Sequence, residues 1–166
     1  MDFFEVVRKR CSTREFSDKP VTQEILRKLA DAARLAPTAR MEQPWEFVAV
    51  TERKSLNEIG EITDHGKFIK DSAACIAVVC RDTKYYLEDG CAATENILLA
   101  AAALGIGSCW VAGDKKEYAP RILQFLKVPA GYKLVSLIAL GYPKKDFTRH
   151  DKRLVDDVLR NEFFDG

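Results

Sequence analysis

Leu87-Glu88-Asp89-Gly90-Cys91-Ala92-Ala93-Thr94-Glu95-Asn96-Ile97-Leu98-Leu99-Ala100-Ala101-Ala102-Ala103-Leu104, followed by Gly105-Ile106-Gly107-Ser108-Cys109-Trp110-Val111-Ala112-Gly113, is the stretch that decides how this chain folds. Its first part reads as a helix. Ala and Leu are the strongest helix formers, and about eighteen residues rise roughly 27 Å. Charges stop at Glu95, so the second half is apolar on every face and predicts a buried helix rather than a surface one. Gly105 supplies a C-terminal cap, and Ile106–Gly113 reads as a short strand leaving it. A chain of 166 residues has little interior in which to hide such a helix, which points to a partner subunit.

Composition narrows the class. The length suits one domain, over residues 1–166, with a core of its own. Apolar residues make up 47% and charged residues 31%, as in ordinary globular proteins. The formal net charge of +1 gives no reason to expect nucleic acid or an anionic membrane as a partner. No uncharged apolar run approaches the roughly 20 residues needed to span a bilayer. Met1-Asp2-Phe3-Phe4-Glu5 lacks the basic-then-apolar pattern of a secretory leader, so the expected location is the cytoplasm. Cys11, Cys75, Cys80, Cys91 and Cys109 are scattered without a CxxC pair and read as reduced, packed thiols. His65 and His150 stand alone, without the neighbours that a metal site needs.

Around the central stretch the chain alternates helices and strands. Asp2 caps a short helix in which Phe3, Val6 and Val7 share a face. Thr22 caps a second, with Ile25, Leu29, Ala32 or Ala33, and Ala36 as its buried stripe, ended by Pro37. Ala36–Trp45 is a loop with two prolines and no glycine, which predicts a fixed and potentially functional connection. Trp45–Val50 alternates as a strand, and Thr51 begins a helix carrying Leu56, Ile59 and Ile62. Thr63–Lys67 reads as an exposed bend, and Phe68 and Ile69 as anchors of a short helical turn. Ser72–Cys80 and Leu134–Leu140 read as buried strands. Lys115–Leu126 reads as a helix with Tyr118, Ile122, Phe125 and Leu126 inward. The tail Lys144–Arg153 is basic, and Leu154, Val155, Val158 and Leu159 follow at helical spacing.

The chemistry-bearing residues are few. In an extended Arg10–Phe16 segment, Arg10, Ser12 and Arg14 point to one side. Two guanidiniums and a hydroxyl suit a phosphate or another electron-rich group, because Arg offers a fixed fork of donors. A solvated basic loop is the alternative, and the tail leaves the same choice between solvated charge and a second set of cations. Gly105-Ile106-Gly107 is no dinucleotide fingerprint: it runs helix, turn, strand, with Trp110 where the third glycine belongs.

Taken together, Arg10-x-Ser12-x-Arg14-x-Phe16, Ala36-Pro37-Thr38 with Gln43-Pro44-Trp45-x-Phe47, Gly105-Ile106-Gly107-Ser108-x-Trp110 and Leu140-Gly141-Tyr142-Pro143 resemble, in order and spacing, the FMN-dependent nitroreductase family. The resemblance covers nearly the whole chain. It implies an α+β, three-layer sandwich: a mainly antiparallel sheet flanked by helices in an intertwined homodimer. The long central helix forms the seam, each C-terminal segment adds to the other subunit's sheet, and FMN lies in clefts at the interface.

Residue by residue, Arg10 and Ser12 match positions that hold the phosphate and ribityl end of FMN, with Cys11 between them in the same site. Arg14 matches the cation beside flavin N1 and the C2 carbonyl. Pro37, Thr38 and Ala39 match the partner-chain loop against the ring. Ala112 and Gly113 match the turn whose backbone N–H faces N5. Lys152 and Arg153 match the C-terminal cations of the phosphate site, with His150 as an alternative. Met41 stands where many relatives have Asn, and its thioether is a weak acceptor, so a contact to the pyrimidine edge is lost or comes from elsewhere. The resemblance implies NADH or NADPH as donor, a small nitroaromatic or quinone as acceptor, and a ping-pong cycle. The flavin carries the electrons and the protein supplies binding and electrostatics, so no side chain is assigned as a catalytic acid or base. A dehalogenase or enone reductase on the same fold, or a flavin-binding or sensing protein without turnover, are the other readings.

Overall fold

Two strands of almost unbroken apolar sequence form the middle of a four-stranded antiparallel sheet ordered β1-β2-β4-β3. The computed structural model describes residues 2–145 and 151–164. Strands β1 (Trp45–Val50), β2 (Ala74–Arg81), β3 (Gly107–Ala112) and β4 (Tyr132–Gly141) match the expected positions. Along β2 the side chains alternate strictly between two cores. Ala74, Ile76, Val78 and Cys80 face one, and Cys75, Ala77 and Val79 face the other. This is why the sequence shows no polar alternation: both faces are covered. Helices α2 (Gln23–Arg34) and α4 (Tyr86–Ala103) cover the first face, and α3 (Arg53–Ile62) and α5 (Ala119–Phe125) the second. The result is the three-layer α+β sandwich expected.

Helix α4 is organised for close approach. A Cβ on Gly90 would lie 2.6 Å from a Val135 methyl and 3.0 Å from the Cys80 sulfur, so only glycine lets the helix sit this low on the sheet. The Thr94 and Ser136 hydroxyls meet at 2.8 Å, and Thr94 also donates to the Gly90 carbonyl. The helix ends in a Schellman motif: Ile106 N–H donates to the Ala101 carbonyl and Gly105 N–H to that of Ala102, with Gly105 at φ +72°. Its second half is not enclosed on every face by this chain. Ala101 and Ala102 are buried, Leu99 and Ala100 half-buried, and Ala103 and Leu104 exposed.

Other expectations need correction. Asp2 and Glu5 form the cap of α1 (Phe3–Lys9), but only Val6 is buried, and Phe3 and Val7 face solvent. On α2 the buried stripe runs through Leu26 in place of Ile25, because Leu26, Leu29 and Ala33 are the positions one helical repeat apart that meet α4 and the sheet. The Thr63–Lys67 bend is only partly exposed: Thr63 and Gly66 are buried, and Thr63 Oγ1 donates to the Gly60 carbonyl at 3.1 Å. Helix α5 starts four residues later than expected, after Lys115 takes a left-handed conformation at φ +60° that no helix continues through. Leu154–Leu159 holds only a 3-10 turn, Val155–Asp157, with its apolar side chains exposed. A short apolar pattern without a packing surface does not sustain a helix.

Candidate functional site

The extended segment Arg10–Phe16 is fixed by the edge of the sheet. Ser12 bridges Ser108 in parallel, Thr13 N–H donates to the Ser108 carbonyl at 2.9 Å, and Phe16 bridges Pro143. Phe16 is buried over Gly141, where a Cβ would come within 2.8 Å of its ring. Thr13 is buried against Gly107 in the same way. Burying Thr13 turns its neighbours Ser12 and Arg14 outward, the alternation breaks at the exposed Glu15 before Phe16 is buried, and Arg10 is half-buried. Arg10, Ser12 and Arg14 converge on Cys109: burial pushes its thiol pKa up, while the charges of Arg14 and Arg10 and a hydrogen bond with Ser12 pull it back. Cys11, beside them, is half-buried.

Arg14 also borders a pocket of about 170 Å³. Its guanidinium carbon lies 5.7 Å from the centre of the Phe68 ring. The residues Cys109 to Ala112 line the pocket along β3, and His65, Lys116 and Tyr118 close it. No Asp or Glu lines it among the described residues. The Tyr118 hydroxyl is committed to the Ala112 carbonyl. Burial raises the Tyr118 pKa, with the nearby Asp64 charge adding to it. The sequence did not single out Lys116, Phe68 or His65 for this place, because the bend and the β3–α5 turn are far apart in the chain.

The turn after β3 is pinned by a bulge. The β2–β4 register shifts between Val78 and Val79, which face Ser136 and Leu134 and leave Val135 as the extra residue. The Val135 carbonyl accepts from both Gly113 N–H at 3.1 Å and Asp114 N–H at 3.3 Å. The Gly113 amide is therefore engaged inside the protein by the bulge carbonyl. A Cβ on Gly113 would meet Leu134 at 2.6 Å and the Val135 backbone at 2.9 Å, so its glycine serves this close approach.

The Pro37–Met41 loop is held from a different direction. Asp89, buried near the start of α4, accepts from Thr38 Oγ1 at 2.8 Å and from Ala39 N–H at 3.1 Å, and Thr38 Oγ1 in turn accepts from Gln43 N–H at 3.0 Å. Arg40, Met41 and Gln43 are left-handed, at φ +56°, +58° and +44°. Three such residues in one short loop store strain, which a rigid anchor like Asp89 can sustain. Asp89 was not read as a site residue from the sequence, where it was one acid among many on a helix. Pro37 and Met41 are exposed, and the loop does not line the Arg14 pocket.

Lys152 and Arg153 are exposed as well. Every hydrogen bond found for residues 151–164 lies within that segment among the described residues, including Arg153 to the Asp157 carbonyl. Leu154, Val155, Phe163 and Phe164 are 71%, 68%, 70% and 87% exposed. His150 lies outside the described residues. The structure thus brings Arg10, Ser12, Arg14 and Ala112 to one place, and leaves the Pro37–Met41 loop and the Lys152–Arg153 pair apart from it.

The mixed sandwich that carries this pocket has counterparts among known proteins. The profile of the family described as "Putative TM nitroreductase" matches residues 2–164, and the chain belongs to the nitroreductase family. An Archaeoglobus fulgidus protein named "Putative NADH dehydrogenase/NAD(P)H nitroreductase" is 38% identical, over 95% of this chain and 96% of its own length. The "FMN-dependent Nitroreductase" of Clostridium difficile R20291 superposes with a TM-score of 0.91 at 28% identity, over 97% of this chain and 99% of its own. A Desulfovibrio desulfuricans structure described as "a putative nitroreductase in complex with fmn" superposes at 0.85 with 25% identity, over 98% of each chain. Among the described residues, no helix is long and apolar enough to cross a membrane, and no group of His, Cys, Asp and Glu is placed to hold a metal ion.

Proposed function

We propose that this chain, as one domain over residues 1–166 in the cytoplasm, is an FMN-dependent oxidoreductase. NADH or NADPH supplies its electrons, and small acceptors such as nitroaromatics or quinones receive them in a ping-pong cycle. The observation that carries the reading is the seating of Arg10, Ser12 and Arg14 in one segment along the sheet edge, with Arg14 lining the pocket beside Cys109 and Ala112. Names of relatives with NAD(P)H and FMN in them support the donor and the cofactor.

The residues fit an FMN. The donor set is cationic and hydroxylic, and the carboxylate nearest to it in sequence, Glu15, is held by Lys145 at 2.9 Å. FMN, when bound, supplies the hydride and electron chemistry between donor and acceptor. Arg10 and Ser12 hold the phosphate end. Arg14 lies at the pyrimidine end, where a fixed cation favours negative charge that develops on reduction. Phe68 holds the Arg14 guanidinium by a cation–π contact.

One chain supplies only part of this site. The Arg14 pocket, about 170 Å³, falls below the roughly 300 Å³ at which small-molecule sites begin. A homodimer supplies the remainder in this reading, with the Pro37–Met41 loop and the Lys152–Arg153 pair arriving at the interface. Exposed apolar groups on the C-terminal segment, the half-buried side of α4 and the unpaired β1 edge support that assembly. A groove of about 600 Å³ between α2 and Phe47 of β1 gives an arriving segment a place to lie.

The test is direct. The purified protein is expected to be yellow, with about one FMN per chain by mass analysis, and to oxidise NADPH when menadione is added. FAD, or no flavin after soaking in FMN, overturns the cofactor. A yellow protein that never turns over selects the flavin-binding reading.

A further inference from the structure

Asp89 is a buried carboxylate that does not line the Arg14 pocket. No Lys or Arg forms an ion pair with it among the described residues. It stands at the start of α4, where the helix dipole favours negative charge. That end of the helix is fixed from two sides. Gly90 lies so close to the sheet that a Cβ there would meet a Val135 methyl at 2.6 Å, and the Tyr86 hydroxyl donates to Asp114 Oδ1 at 2.5 Å in the turn after β3. Asp89 therefore reaches out from a platform set by the sheet and not by the loop it holds.

The loop is held in a shape that costs stability. Thr38 Oγ1 donates to one carboxylate oxygen of Asp89 at 2.8 Å, and Ala39 N–H to the other at 3.1 Å. Just beyond, Arg40, Met41 and Gln43 are left-handed, although none is a glycine. Burying a carboxylate without a cation and twisting three such residues are both unfavourable, and a connection from α2 to β1 requires neither. The loop does not serve a cavity of its own chain either. Pro37, Arg40 and Met41 are exposed, and the loop does not line the Arg14 pocket. Strained backbone persists only where its surroundings over-determine it, and here Asp89 supplies that constraint on a loop presented outward.

We propose that Asp89 is a positioning residue for the flavin site of the other subunit. Resting on the FMN and homodimer reading, the Pro37–Met41 loop of one chain lies against the ring held by Arg10, Ser12 and Arg14 of the partner subunit. Asp89 fixes the shape in which that loop arrives. It touches no flavin and acts through Thr38 and Ala39. Without its two bonds the loop relaxes and has to be ordered again when FMN binds, which weakens binding. The defect then falls on the flavin seated by the chain that was not altered.

Mixed dimers test this. Chains with Asp89→Leu and chains with Arg10→Ala plus Arg14→Ala carry different affinity tags and are co-expressed. The dimer bearing both tags is stripped of flavin and titrated with FMN by fluorescence quenching. The Asp89→Leu homodimer is expected to bind FMN about tenfold more weakly than the wild type, the size of one buried hydrogen bond. In the mixed dimer, the intact arginines of the Asp89→Leu chain meet the unaltered loop of the other chain. One FMN per dimer should therefore bind with wild-type affinity, while the second site carries both defects and stays empty. One FMN bound with the weakened affinity would place the action of Asp89 within its own chain and overturn the proposal, as would an Asp89→Leu homodimer of wild-type affinity. Thr38→Val removes the loop's side of the contact and should show the same loss and the same recovery in mixed dimers, whereas Thr38→Ser keeps the hydroxyl and binds as the wild type does. Should thermal melts show Asp89→Leu unfolded, the Thr38→Val pair decides alone. A wild type that binds FMN as a monomer in sedimentation overturns the dimer reading and this proposal together but leaves the cofactor reading intact. A wild type that binds no FMN overturns all three.

Discussion

Residues 10–16 and residues 151–164 bring cations to what is read as one phosphate site, yet the molecule treats them in opposite ways. The first segment is bridged to β3 and to Pro143 just past β4, with Phe16 and Thr13 buried against Gly141 and Gly107. The second keeps its hydrogen bonds to itself and exposes every apolar side chain it has. A segment seated by its own chain presents its side chains before any ligand arrives. In the dimer proposed above, a segment with such exposure reaches its place through the other chain, and the ordering entropy is then lost on assembly. In the proposed reading, the difference separates a pre-arranged half of the site from a half that assembly completes.

The largest test removes the second half. Deleting residues 151–164 is expected to leave a folded chain with wild-type circular dichroism but to abolish the dimer in sedimentation. FMN affinity should then fall roughly a hundredfold, or about 3 kcal/mol. A truncated monomer that keeps full affinity would erase the contrast. Unseating the first half comes next. In Gly141→Val the new side chain collides with the Phe16 ring, and overpacking of this kind costs about 1–3 kcal/mol, read from urea denaturation.

The two arginines of the seated segment should then divide in function. Two charges about 4 Å apart interact by ~4 kcal/mol at an effective dielectric near 20, discounted to roughly 1–3 kcal/mol for an open cleft. Arg14→Ala should therefore lower the flavin midpoint potential by about 20–65 mV in spectroelectrochemistry. Arg10→Ala should weaken FMN binding and leave the potential unmoved, because a phosphate contact does not distinguish the redox states. Equal shifts in both variants would show the role assignment to be wrong.

Smaller effects are expected from the unseated cations. Lys152→Ala and Arg153→Ala should each weaken FMN by up to about 1 kcal/mol, with a dependence on salt that Arg10→Ala lacks, since exposed charges are screened. Calorimetric titration at two ionic strengths decides this.

The smallest effect lies at the end of the seated segment, beside the strand exit at Lys144 and Lys145. Lys145 pairs with Glu15, and Lys144 N–H donates to the Glu15 carbonyl at 3.1 Å. The hydrogen bond and charge of Lys145 hold the Glu15 carboxyl below its ordinary range. A depressed acid contributes stability above its unfolded pKa and loses it as pH falls, so the contribution fades below about pH 4.5. Glu15→Gln should lower the melting temperature slightly at neutral pH and converge with the wild type below that window, in melts compared across pH.

The seated segment was legible because period two is written into it. Residues 10, 12 and 14 share one side whatever they pack against, and Arg, Ser and Arg at those places limit the chemistry. The strands were legible because continuous apolar runs between turn residues have few other uses, and α4 because Ala and Leu over eighteen residues form a helix in any context. Propensity, capping and apolar pattern are properties of neighbouring residues, so the sequence alone determined the elements, their order and the donors of the Arg10–Arg14 segment. The tertiary structure decided what depends on distant residues meeting. It selected Asp89 as the anchor of the Pro37–Met41 loop, placed Lys116, His65 and Phe68 around Arg14, and turned the Gly113 amide into the Val135 bulge. No local pattern marks these residues, because each acquires its role from a partner between roughly twenty and a hundred positions away, brought near only when apolar faces are buried together.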